Sequence, residues 1–320
     1  FTGSGTEANN IAVKGIYWQR NTEKPRPVII TSAIEHQAVL EPAQWLVEHE
    51  GAQHISIPVT ADGVISLDAL RLIVAEHGDA IALISVMHSN NETGAIQPIA
   101  DVVTIAGDIP VHSDAIQSWQ KVNLSFKELG LFAMSLSGHK VGGPIGIGIL
   151  VLRRGIDIPA LIHGGGQERE IRSGTLNAPS IVAFAAAVEA KLYDAAKVAS
   201  LRDSFESGVL SSRPDAVING KSAPRLPGIS NITFPGTQSD SLLLLMDSQK
   251  VSCSTGAACT AGVHRPSHVL MAMGLTDVVS QSSLRFSFGS TNTEKDVAYA
   301  LAVLPEVIER GLAANAVGKK

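Results

Sequence analysis

The chain has 320 residues, 45% hydrophobic, 17% charged and 4% aromatic, enough for a large core and incompatible with a disordered or collagen-like polymer. A formal charge of -5 supplies no basic surplus for a phosphate backbone, so no nucleic-acid partner is expected. Two cysteines, Cys253 and Cys259, are too few for a disulfide framework, and the longest apolar runs, 80–87 and 181–188, fall far short of the roughly 20 residues that span a bilayer, so a soluble protein of a reducing cytoplasm without membrane attachment is expected.

The chain opens on Phe1-Thr2-Gly3 without Met or leader, which reads as a cut through an existing element. Gly3-Ser4-Gly5-Thr6 then places small residues and a hydroxyl where a helix begins, the arrangement in which backbone N–H groups and a helix dipole hold a phosphate. The same residues satisfy a dinucleotide G-x-G-x-x-A pattern, but no acidic residue ends the next strand to hold a ribose, so nicotinamide binding is the poorer reading. From Thr6 to about Val198 short β-like runs alternate with amphipathic stretches, with strands expected at 28–31, 55–59, 80–87, 110–113, 132–135 and 146–152. That alternation predicts an α/β unit with a mostly parallel mixed sheet and helices on both faces.

Side chains that follow the strands carry the chemistry. His36 begins the helix 36–49, where an imidazole can cap, stack on a ring or move a proton. Asn91 follows the strand 80–87 as a neutral donor, and Asp114 ends the strand 110–113. Lys140, in Ser137-Gly138-His139-Lys140, follows the strand 132–135 at the edge where open α/β sheets collect ligands, and an amine there can form an imine. A lysine, a carboxylate able to pair with a pyridinium nitrogen and a phosphate cradle together are what pyridoxal phosphate requires.

Residues 180–212 carry apolar side chains at helical spacing and read as one or two long helices, with the domain boundary placed within them: a large cofactor-binding domain over 1–198 and a smaller α+β domain over 199–320. After a Pro- and Gly-rich stretch at 214–228 come a strand 229–234, a helix 240–249, a Ser/Gly/Ala loop at 252–262, a strand 284–288 and a helix 294–310. Cys259 lies in that loop, where a thiol on a tether can reach a substrate as a nucleophile; Cys253, read as ending a strand, is the buried and inert one. Arg285 on the strand 284–288 offers a planar fork to a substrate carboxylate. Cys253, Cys259, His264 and His268 do not have zinc-finger spacing, since four residues separate Cys259 from His264 where about twelve are needed, and no metal is expected.

Taken together the segments FTGSGTEANN (1–10), EHQAVL (35–40), SVMHSNNETG (85–94), HSDAIQ (112–117), SLSGHKVGGPIGIG (135–148), HGGGQEREIRSGT (163–175), STGAACTAG (254–262), PSHVL (266–270) and SLRFSFG (283–289) resemble the cysteine desulfurases of the NifS and IscS type, pyridoxal-phosphate enzymes of the class V aminotransferase family and of fold type I. The resemblance runs the whole length of the chain. It implies that Lys140 binds the cofactor covalently, that Asp114 pairs with its ring nitrogen, that Asn91 and Gln117 face the ring hydroxyl, and that His36 stacks on the ring. Gly5, Thr6, Ser137 and His139 would hold the phosphate, and Thr175 would reach the phosphate of a neighbouring subunit in a homodimer. Arg285 and Asn91 would bind the substrate, with Lys140 or His36 moving the α-proton. Cys259 would take sulfur from L-cysteine as a persulfide, releasing L-alanine, and pass it to an iron-sulfur scaffold or a thiolation enzyme; transient cluster ligation by Cys259 is left open.

The long loop around Cys259 resembles the branch that delivers sulfur directly to partners. Glu170, Ile145 and Ser290 depart from the family pattern, at positions where glycine, lysine and arginine are usual. A family segment of roughly sixty residues is expected to precede Phe1. The alternative functions are a selenocysteine lyase, which keeps a loop thiol, or another aminotransferase-fold enzyme, which needs none; a non-catalytic sulfur carrier fits poorly with the presence of Lys140, Asp114 and Cys259 together.

Overall fold

The computed structural model describes residues 1–255 and 266–318, the side chains of 317 and 318 excepted. These residues fall into two compact units, one formed by 1–59, 65–89 and 97–192, the other by 60–64, 90–96 and 193–320.

In the first unit Ser4 caps α1 (Gly5–Arg20), its Oγ accepting the Glu7 N–H at 3.0 Å. There follow β1 (Val28–Ser32), α2 (Gln37–Glu50), β2 (Gln53–Ile57), α3 (Leu67–His77), β3 (Ile81–Ser85), α4 (Ile99–Ala106), β4 (Val111–Asp114), β5 (Ala133–Ser137), β6 (Gly148–Leu152) and α5 (Ala178–Glu189). The sheet runs β2-β1-β3-β4-β5-β6, parallel from β2 to β5 with β6 antiparallel at the edge. β1 and β3 are buried at every residue, as expected of central strands covered on both faces.

The two-residue period of the strands sorts the core. Ile29, Leu83 and Ala133 face one way, onto Ile11 and Ile16 of α1 and Val39 and Leu46 of α2. Val28, Ile30, Ile84 and Met134 face the other, onto Leu70 of α3 and Val102 of α4. The mixed sheet with helices on both faces is the architecture expected from the sequence, with the strands at 55–59 and 80–87 starting or ending up to two residues from the expected bounds.

The second unit contains α6 (Ala195–Ser212), β7 (Val217–Ile218), β8 (Ile229–Thr233), α7 (Ser239–Ser248), β9 (Ser254–Thr255), α8 (His268–Ala272), α9 (Asp277–Ser280), β10 (Ser283–Ser287) and α10 (Glu294–Gly318). Its antiparallel sheet runs β7-β8-β10-β9, and Ile232, Phe234, Leu284 and Phe286 pack with Leu201 and Phe205 of α6, Leu242 of α7 and Leu304 and Ile308 of α10. The segment 90–96 is held here through Leu226 N–H to Gly94 O at 2.9 Å and Ile96 N–H to Pro224 O at 2.8 Å.

One local expectation is sharpened and another changes. The apolar run 180–212 is two helices, because the chain leaves the helical region at Lys191 (φ 46) and restarts at Asp194, whose side chain accepts the Lys197 N–H at 3.0 Å. Cys253 does not end a strand; it precedes β9, which borrows Ser254 and Thr255 from the expected loop to pair with β10.

Candidate active site at the strand ends

The order of the first sheet reverses between β1 and β3: the chain goes outward from β1 to β2 and returns to the other side of β1 to lay down β3, β4 and β5. Such a reversal opens a crevice beyond the carboxyl ends of the strands. Glu35 bridges it. Its Oε1 accepts the Ser32 hydroxyl at 2.5 Å and the Met87 N–H at 2.6 Å, joining the end of β1 to the segment after β3, and the side chain is fully buried. Burial pushes this carboxyl up to about 8, the two hydrogen bonds opposing and the nearby Asp114 adding to the rise. His36 follows and caps α2 with its ring, Nδ1 accepting the Ala38 N–H at 3.0 Å.

Asp114 is the last residue of β4. Its Oδ1 accepts the Ile116 N–H at 2.9 Å, and its Oδ2 accepts Nδ2 of Asn9, on α1, at 2.7 Å. Burial pushes the carboxyl above the usual range; the Ile116 and Asn9 donors and the charges of His36 and Lys140 pull it back toward the ionised form. The strand itself is fixed by His112, whose Nδ1 lies 2.8 Å from Ser85 Oγ on β3 and whose Nε2 lies 2.9 Å from Ser135 Oγ on β5. Complete burial holds that imidazole down at about 3 and therefore neutral.

Lys140 stands exposed in the 3-10 turn Gly138–Val141 that leaves β5. Beside it Ser137 Oγ and His139 Nδ1 are 2.8 Å apart, and burial with the charges of Lys140 and Lys121 lowers the His139 imidazole. Gln117 accepts from Lys121 Nζ at 3.1 Å, and burial, helped by the Lys140 charge, pushes the Lys121 ammonium down to about 8. The start of α1 closes onto this group. A Cβ on Gly5 would overlap Ile116 Cδ1 and lie 3.2 Å from Ser137 Cβ, so only glycine lets the helix N-terminus approach the ends of β4 and β5. Exposed Thr6 follows in the same first turn.

These residues fit pyridoxal phosphate. A helix N-terminus brought close by Gly5, with Ser137 and His139 adjoining, is a cradle for the phosphate; Asp114 is an oriented carboxylate for the ring nitrogen, and Lys140 is an accessible amine. A buried acceptor, Asn9 Oδ1, has no hydrogen-bond partner among the described residues, which marks the place as polar and unfinished.

The second unit brings other expected residues together. Arg285 Nη1, on β10, donates to the Asn91 carbonyl at 2.9 Å. Next to Asn91, buried Glu92 accepts the Ser267 hydroxyl at 2.5 Å, and burial pushes its carboxyl up to about 7 against the pull of Ser267 and Arg285. Thr175 is exposed on the loop before α5. Cys259 and His264 lie outside the described residues. Cys253 is a half-buried thiol pushed up to about 11 by burial and by Asp247, consistent with an inert side chain.

Sequence reasoning missed Asn9, Glu35, His112 and Lys121. Asn9 had a signal: Gly5, Ala8, Ala12, Val13 and Ile16 form the buried stripe of α1, and Asn9 is the polar residue within it. Glu35 and His112 gain their meaning from partners 52 and 27 residues away, which local pattern does not reveal.

Comparison with known proteins finds relatives along most of the chain. The model of the aminotransferase class-V family matches residues 1–299. The chain is 48% identical over 318 residues to an IscS-like cysteine desulfurase of Mycobacterium tuberculosis, covering 97% of this chain and 81% of that protein. It is 41% identical over 316 residues to the cysteine desulfurase IscS of Methanosarcina thermophila, covering 97% and 76%. Among solved structures, a NifS-like protein superposes with a TM-score of 0.85 at 34% identity, covering 97% and 82% of the two chains. SspA in complex with cysteine superposes with a TM-score of 0.78 at 33% identity, covering 91% and 81%.

Proposed function

Because this chain belongs to the aminotransferase class-V family, whose members depend on pyridoxal phosphate, we propose that it removes sulfur from L-cysteine, leaving L-alanine and a persulfide on Cys259. The observation that carries the reading is the strand-end set of Lys140, doubly held Asp114 and the Gly5 cradle, in a chain 48% identical to a cysteine desulfurase. The desulfurase relatives favour this reaction over selenocysteine lyase or transaminase chemistry.

When bound, the cofactor supplies an electron sink for the carbon that loses its proton. The protein's own groups do the rest. Gly5, Thr6, Ser137, His139 and, from a second copy, Thr175 would hold the phosphate; Asp114 would keep the ring nitrogen protonated; Gln117 and Asn91 would face the ring hydroxyl. Lys140 would hold the cofactor, and its amine or the His36 imidazole would move the α-proton of the substrate. Arg285 pairs with the substrate carboxylate. The Cys259 thiolate would attack the substrate sulfur: the S–S bond forms as the Cβ–S bond breaks, and the three-carbon remainder keeps the electron pair, takes one proton at Cβ and regains one at Cα to become L-alanine.

The persulfide is then handed to an iron-sulfur scaffold or another acceptor. A homodimer is part of the reading, supported by α5, an apolar helix whose Val182 is 68% exposed while Phe184 is its one buried residue, followed by Leu192 at 62%. A cytoplasmic location is supported by the free thiol of Cys253, and among the described residues no helix is long and apolar enough to cross a membrane.

The test is sulfide and alanine release from L-cysteine by the full-length protein with pyridoxal phosphate and a reductant, beside Cys259→Ser and Lys140→Ala. Stoichiometric products from the parent, their loss in Cys259→Ser with the bound-cofactor absorbance retained, and loss of that absorbance in Lys140→Ala are expected. Undiminished sulfide release by Cys259→Ser would refute the role of the thiol.

A further inference from the structure

Asp114 is held by donors from two elements. Ile116 N–H, in the turn after β4, takes Oδ1 at 2.9 Å, and Asn9 Nδ2, on α1, takes Oδ2 at 2.7 Å. With both oxygens engaged, the carboxylate plane cannot rotate, and each oxygen keeps a lone pair for a third donor. Asn9 is itself immobile: it is fully buried, on the face by which α1 packs across β3, β4, β5 and β6, one turn beyond the close approach at Gly5.

The choice of an amide is informative. A lysine or arginine in this place would neutralise Asp114; an amide orients the carboxylate through a hydrogen bond and leaves its charge for a cationic ring. It does so at a cost to the fold, because the other end of the same amide, Asn9 Oδ1, is a buried acceptor with no hydrogen-bond partner among the described residues. A residue kept only for packing would be apolar here, like Ala8, Ala12 and Ile16 on the same face.

We propose that Asn9 is a positioning residue for the cofactor site: its Nδ2–H aims the Asp114 carboxylate and keeps it ionised for the ring nitrogen. This rests on the reading that the site takes pyridoxal phosphate. The titratable groups facing Asp114 are Glu35 before α2, His36 at the start of α2 and Lys140 after β5; Glu35 opposes ionisation of Asp114, and the other two favour it.

The link is tested first without cofactor, by titrating Asp114 in the apoprotein with carbon-13-labelled aspartate and NMR. Loss of a hydrogen bond to an ionised group shifts the equilibrium about tenfold, so Asn9→Ala raises the Asp114 midpoint by about one unit. Asn9→Asp, of the same shape but lacking the donor, raises it further. A midpoint unchanged in either folded variant overturns the proposal. Should both variants fail to fold, the parent protein still decides: a through-hydrogen-bond coupling between Asn9 Nδ2 and the Asp114 carboxyl is expected, and its absence overturns the link.

The second readout is equilibrium dialysis of pyridoxal phosphate, whose affinity drops about 10- to 100-fold in Asn9→Ala, accompanied by a shift in the pH midpoint of the bound cofactor's absorbance. Unaltered affinity and an unaltered midpoint overturn the positioning role. Failure of the parent protein to bind pyridoxal phosphate counts against the cofactor reading instead, and the apoprotein titration distinguishes the two.

Discussion

Replacing Glu35 by glutamine tests how the crevice between β1 and β3 is closed. Glutamine keeps an acceptor oxygen for Ser32 Oγ–H and Met87 N–H, now at 2.5 and 2.6 Å, and removes the proton that the buried carboxyl must hold. The carboxyl rises from its ordinary 4.5 to about 8 in the folded protein. Its folded midpoint lies above its unfolded one, so its stabilising contribution is fully present below pH 4.5 and is lost as pH rises through 8. Over that window the native state holds the extra proton, and stability falls by about 1.4 kcal/mol per pH unit. The expected result is that the parent protein loses about 4 kcal/mol more than Glu35→Gln between pH 5 and pH 9. Urea unfolding followed by tryptophan fluorescence reads this directly, because Trp18, Trp45 and Trp119 all belong to the first unit. Other titrating groups are common to both proteins and cancel in the difference. Parallel stability curves for the two proteins would refute the argument, since they would mean that Glu35 is ionised in the fold.

Three further outcomes follow from the same geometry. Gly5→Ala drives a methyl into Ile116 and against Ser137, and should destabilise the first unit by about 1–3 kcal/mol in urea unfolding and weaken pyridoxal phosphate binding in dialysis. His112, depressed from 6.5 to about 3, gives a contribution that is fully present above pH 6.5 and lost as pH falls through 3; His112→Gln should flatten that acid limb of the urea midpoint against pH. Glu170 sits at φ 65, in the left-handed region that favours glycine; Glu170→Gly should raise the thermal midpoint, by a stabilisation of up to about 1 kcal/mol.

The fold was legible where burial is two-sided. The runs in β1 and β3 are apolar up to their closing Thr31-Ser32 and Ser85, flanked by turn residues, and separated by helical spacing, so their strand type and parallel arrangement could be read from pattern alone. Edges were less legible. β2 is exposed or half-buried except at Ile57 and begins two positions earlier than its apolar run, and β9 is two small polar residues whose strand character comes only from pairing with β10. The break between α5 and α6 contains neither glycine nor proline; Asp194 as a cap was the single local sign of it.

The site was legible in its charged members and opaque in the groups that support them. Asp114 ends its strand and Lys140 and His36 follow theirs, and a carboxylate, an amine and an imidazole at the open end of the sheet draw notice. Asn9, Glu35 and His112 are polar residues inside apolar surroundings, and a buried polar group must find a partner. That requirement holds a prediction the sequence could have carried further. On α1 the buried stripe faces the sheet, and Asn9 interrupts it one turn after the helix start, so the partner of its amide had to lie where that first turn meets the strand ends. Asp114, ending β4 with its carboxylate in the same place, was already singled out on other grounds. Helix period, strand period and the rule of satisfied polar groups together bring residues 105 positions apart into one hydrogen bond, although no one of them does so alone.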